Sequence, residues 1–175
     1  MRIFLTFILM LSLTCCGKSN LPNPYALSEK EAAVNRVFKK AFLQLKKEKE
    51  LYSFGLVRGQ GVLGLAFRYY KTVDIDIARE LLTYSTTLFL NIINESEDIR
   101  PYLKVYPFNP ENIEIEIYLQ TSNGSEPKLG KWTLLEMRHG KLKYYVRNLK
   151  TEMLMTLYEE TFEEAVAKLN EKVAI

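Results

Sequence analysis

Apolar positions along the chain follow two rhythms, and each change of rhythm marks an element. Val34, Val37, Phe38, Ala41, Phe42 and Leu45 recur at helical spacing. Ser28-Glu29-Lys30-Glu31 before them is a capping box, so the spacing predicts a helix from there to about Glu50. Leu51 to Val57 and Val62 to Val73 read as two strands joined by Arg58-Gly59-Gln60-Gly61. Ile77, Leu81, Leu82, Leu88, Phe89 and Ile92 restore the helical period, with Arg79, Glu80 and Thr87 left for the wet side and Asp76 as N-cap. Asn94-Glu95-Ser96 ends that helix, and Pro101, Pro107 and Pro110 bias the residues before them toward extended backbone.

The clearest strand follows. Ile113, Ile115, Ile117 and Leu119 alternate with Glu114, Glu116, Tyr118 and Gln120, which predicts one buried and one solvated face. Lys131 to Arg138 and Lys141 to Arg147 form a hairpin about His139-Gly140, with Leu142, Tyr144 and Val146 inward. Met153, Met155 and Leu157 suggest a last extended segment. Thr161-Phe162-Glu163-Glu164 is a second capping box, opening a helix that buries Phe162, Ala165, Val166 and Leu169. The expected fold is a single α+β domain over residues 28–175, a mostly antiparallel sheet packed by helices in the order α-β-β-α-β-β-β(-β)-α.

The N-terminus has a different character. Met1-Arg2 and the apolar run Ile3 to Leu13 have the make-up of a signal peptide, and the run is too short to span a bilayer, which needs roughly 20 residues. Leu13-Thr14-Cys15-Cys16-Gly17 resembles the lipobox of bacterial lipoproteins. The resemblance implies cleavage after residue 15 and acylation of Cys16, with Cys15 as the alternative. Residues 16–27 then form a tether, kept extended by Pro22 and Pro24 and reaching roughly 40 Å. These two cysteines are the only ones in the chain, so the domain beyond them holds no disulfide. The formal charge of +3 does not point to nucleic acid.

Candidate chemistry is sparse. His139 is the single histidine and falls in a turn, which leaves no zinc or triad set and no cofactor motif. Gly59-Gln60-Gly61 lacks the helix and the Gly-Lys-Ser/Thr of a phosphate loop. Lys46-Lys47-Glu48-Lys49-Glu50 is mixed in sign and reads as a solvated face. Arg100, Tyr102 and Tyr106 lie close together near the proline-bearing crossing, with Phe108 and Tyr118 expected beside them. Aromatics with an arginine commonly anchor interaction surfaces.

Ile99-Arg100-Pro101-Tyr102-Leu103, Tyr106-Pro107-Phe108 and Asn112-Ile113-Glu114-Ile115 resemble a family of small bacterial envelope proteins, many with lipoprotein leaders. Ala78-Arg79-Glu80-Leu81-Leu82 with Phe89-Leu90-Asn91, and Tyr158-Glu159-Glu160-Thr161-Phe162-Glu163-Glu164-Ala165, are similar to its other segments. The resemblance brings no activity. With the lipobox it implies a lipid-anchored envelope protein on the periplasmic side of the inner or outer membrane, and Gly17 in place of an aspartate after Cys16 favours the outer one by resemblance to sorted lipoproteins. Its partners are then the membrane, through the N-terminal acyl chains, and another envelope protein. The expected role is a non-enzymatic binding or structural module. The alternative is a periplasmic hydrolase acting on cell-wall or lipid material with Glu111, Glu114 or Glu116 as acid and base.

Overall fold

Ser28 opens the first helix as its capping box predicts. Its hydroxyl accepts from the Glu31 amide at 3.2 Å, and the Ser28 amide donates to Glu31 Oε2 at 3.0 Å. The computed structural model describes residues 28–58 and 61–173; the leader, Cys15, Cys16, the tether and Gly59-Gln60 lie outside the described residues. Helix α1 spans Glu29–Lys49, and Glu50 ends it in the left-handed region at φ 55. Strands β1 (Tyr52–Arg58) and β2 (Leu63–Tyr69) follow, then helix α2 (Ile75–Glu95). Two short 3-10 turns, Arg100–Tyr102 and Pro110–Asn112, lead into β3 (Ile113–Leu119). Strands β4 (Trp132–Arg138), β5 (Lys141–Arg147) and β6 (Leu154–Thr161) precede helix α3 (Phe162–Val173).

The six strands lie in the order β1-β2-β3-β4-β5-β6, each beside its neighbour in sequence. All pairs are antiparallel except β2 and β3, which run parallel because α2 carries the chain back between them. The result is the mostly antiparallel α+β domain that the patterning predicts. Leu65, Phe67, Ile113, Ile115, Ile117, Leu135, Met137, Leu142 and Tyr144 form the sheet side of one core, with the helices across it. Phe38 on α1 stacks on Phe89 of α2 with centroids 5.7 Å apart. Phe42 meets Phe67 of β2 edge-on at 5.4 Å, which joins helix layer to sheet. The β4–β5 turn places both His139 (φ 50) and Gly140 (φ 70) at positive φ, as a two-residue hairpin turn requires.

Several local expectations need correction. Asp74, not Asp76, caps α2, its carboxylate accepting from the amides of Asp76 and Ile77 at 3.0 and 2.8 Å. The strand expected to reach Val73 ends at Tyr69 because the approach to that cap must leave the sheet. Ile77, expected in the buried stripe, is 41% exposed, whereas Arg79, expected in water, is 6% exposed. The reason is a partner from the far end of the chain. Arg79 Nε donates to Glu160 Oε1 at 2.8 Å, and Glu160 also accepts from the Tyr144 hydroxyl and Lys168 Nζ, each at 2.7 Å. No helix among the described residues is long and apolar enough to cross a membrane.

Candidate functional site

The crossing between α2 and β3 is held by the end of the helix. Asn94 brackets Phe108: its side-chain amide donates to the Phe108 carbonyl at 2.9 Å, and its side-chain oxygen accepts from the Phe108 amide at 2.8 Å. Phe108 is buried there. With that anchor fixed, the preceding residues loop outward through a cis Tyr106–Pro107 peptide bond, exposing Val105 and Tyr106. Arg100 Nη2 donates to the Tyr106 hydroxyl at 2.8 Å, and its guanidinium lies 4.5 Å from the ring centroid. The same hydroxyl donates to the Asn94 carbonyl at 3.1 Å. Arg100 and Tyr106 thus form one unit.

Tyr102 turns elsewhere. Its hydroxyl reaches Glu29 Oε2 in the first turn of α1 at 3.4 Å. Its ring lines a cleft of about 210 Å³ together with Lys30, Val34, Leu63, Leu103 and Lys104. Tyr118 does not join this group. It lies on the opposite side of the sheet, donating to Glu116 Oε2 at 2.8 Å. Asn94 went unrecognised as the bracket because an Asn near a helix end also reads as a simple terminator.

The outer face of the sheet gathers carboxylates. Glu116 and Glu136 stand directly opposite each other on β3 and β4, a like-charge pairing that destabilises unless bridged. Arg138 bridges them, with Nε 3.1 Å from Glu114 Oε1 and 3.5 Å from Glu136 Oε1, and Nη2 3.9 Å from Glu116 Oε1. The Arg138 pKa is raised, chiefly by its hydrogen bond to Glu114. Tyr145 donates to Glu136 Oε2 at 2.5 Å. Burial first, then these carboxylate acceptors, push the Tyr118 and Tyr145 hydroxyls up to about 12. Glu114, expected on a solvated face, is only 9% exposed.

Glu111 does not converge with Glu114 and Glu116. It lines a separate depression beside His139, Gly140 and Lys141. An acid–base pair needs one free carboxylate and one free acid about a common cleft, whereas Glu114 and Glu116 share an arginine and Glu111 stands apart. Among the described residues, no group of three or more His, Cys, Asp or Glu is placed to hold a metal ion.

No family model matches the chain, and neither a curated protein nor a solved structure does.

Proposed function

We propose that the protein is a lipid-anchored, non-enzymatic binding module of the cell envelope, acylated at Cys16 or alternatively Cys15. It engages another envelope protein through Arg100, Tyr102 and Tyr106. The observation that carries this reading is the position of that surface. Tyr102 touches the first turn of α1, so the aromatic crossing lies at the end of the domain that Ser28 joins to the tether. A tether of roughly 40 Å keeps that end near the membrane. The pairing of Arg100 with Tyr106 presents a rigid cation–aromatic unit, which loses little side-chain freedom when a partner docks. The bridged carboxylates favour this reading over a hydrolase.

Two experiments test it. Replacing both cysteines by serine releases the protein from the membrane fraction or leaves it unprocessed; unchanged fractionation with an unmodified N-terminus overturns the anchor. Arg100→Ala with Tyr106→Ala reduces crosslinking to the envelope partner while the fold persists. If Glu114→Gln or Glu116→Gln alone abolishes the cellular phenotype, with fold and crosslink unchanged, the hydrolase is the correct reading.

A further inference from the structure

The other end of the domain carries a larger cleft. Strands β2 and β3 are the only parallel neighbours among the described strands, and both point toward the end where α2 begins. Parallel strands joined by a crossover helix commonly leave a ligand crevice at their carboxyl ends. A cleft of about 730 Å³ opens there. That is inside the range of about 300–1,000 Å³ typical of small-molecule sites.

Its walls point to a class of ligand. Tyr70 and Trp132 supply aromatic surface, while Lys71, Gln120, Ser122 and Lys131 supply polar groups. Lys71 is already paired with Glu50 at 2.6 Å. Among the described residues, the side chains of Lys131, Gln120 and Ser122 have no hydrogen-bond or ion-pair partner. The N-terminus of α2 is not the anion site, because the Asp74 carboxylate already occupies its first free amides. The cleft therefore offers one uncommitted cation, neutral hydrogen-bonding groups and two aromatic side chains, Trp132 held edge-on to Tyr144 at 6.0 Å and Tyr70 to Tyr52 at 5.4 Å. Aromatic side chains of this kind are surfaces on which the C–H face of a sugar packs.

We infer that this cleft binds a saccharide carrying a carboxylate, with Lys131 paired to the carboxylate, Gln120 and Ser122 to hydroxyl or acetamido groups, and the Trp132 side facing the ring. Its orientation, though not the binding itself, rests on the anchored reading. Helix α1 has 21 residues and runs from the tether end to this one, so the cleft lies roughly 30 Å farther out. An anchor at the tether end leaves the cleft facing away from the membrane.

Trp132 is the only tryptophan, so its fluorescence reports this cleft directly. Purified full-length chain in detergent is titrated with a disaccharide containing N-acetylmuramic acid, with neutral N,N′-diacetylchitobiose, and with acetate. The acidic disaccharide gives a saturable change in the millimolar range or below, about tenfold tighter than the neutral one. Lys131→Gln removes that preference while thermal unfolding stays as in the parent, and Gln120→Ala with Ser122→Ala weakens both sugars. No saturable change, an equal response to the neutral sugar, a preference that survives Lys131→Gln, or saturation by acetate alone overturns the inference. Membrane release of the cysteine-to-serine variant is scored separately, so losing the anchor does not alter what the titration shows about the cleft.

Discussion

Arg79 and Glu160 meet inside the core, Nε to Oε1 across 2.8 Å, although 81 positions separate them in the chain. Only 1% of the Glu160 side chain and 8% of the Arg79 side chain is exposed. This contact joins α2 to the last strand and, through Lys168, to α3. Removing one member leaves the other as a buried charge short of a partner. Arg79→Ala is expected to destabilise the domain by about 3–5 kcal/mol, and Arg79→Met with Glu160→Leu by less than the two single changes combined. Urea unfolding of the double-mutant cycle measures both.

The same cluster makes part of the stability depend on pH in acid. Burial by itself raises the Glu160 pKa, but hydrogen bonds from Arg79, Lys168 and Tyr144 outweigh it and hold the carboxyl below its ordinary 4.5. The unfolded chain therefore binds that proton more readily than the folded one. The stability contributed is complete above about pH 4.5 and is lost as the pH falls through the folded value. Urea midpoints measured from neutral pH down to about pH 3 should decline, and Glu160→Gln should decline less steeply from a lower start.

At the alkaline end the sign reverses. Tyr118 and Tyr145, pushed up to about 12 by burial and by Glu116 and Glu136, stay neutral in the fold after unfolded tyrosines ionise. Their contribution is whole below about pH 10 and disappears as pH rises toward 12. Absorbance titration of phenolate should show these two groups ionising late. Glu136→Gln should move Tyr145 back toward its ordinary value; an unchanged alkaline limb in that variant shows that burial alone sets it.

A buried strand position and the exposed residues at the entry to β6 differ sharply in tolerance. Ile115 is fully buried, and an aspartate there brings an unpaired charge into the core. Ile115→Asp should lose several kcal/mol of a total that is typically about 5–15 kcal/mol, enough to unfold the domain or nearly so. Met153 and Leu154 are 70% and 49% exposed. Met153→Lys and Leu154→Lys should leave the melting curve within about 0.5 kcal/mol of the parent. Calorimetry of the three variants side by side makes the comparison.

Much of the fold was readable from local rules. The alternation from Ile113 to Leu119 and the boxes at Ser28 and Thr161 depend on residues within a few places of one another, and such patterns survive into the folded state. Arg100 and Tyr106 were legible together for the same reason, being six residues apart. Arg79 was not. Its periodic position and its charge both argued for water, and the acid that draws it inward lies 81 residues away. Tyr118 was misplaced for a related reason: period two sends it to the face opposite Ile117, while nearness in sequence alone suggested the crossing. The far cleft was illegible because its walls come from segments scattered between Tyr70 and Leu157.

The single parallel seam also has a kinetic meaning. Every other strand pair joins consecutive antiparallel strands, and the β4–β5 turn needs only two residues. The β2–β3 register instead sets Leu63 beside Ile113, 50 positions later, and closing so long a segment carries the largest entropic barrier of any pairing in the sheet. Forming α2 shortens the distance that segment must span. On loop-closure grounds the β1–β2 hairpin and the four-stranded meander are expected to form before they dock along Leu63–Tyr69, which makes that docking the expected slow step for a newly made chain.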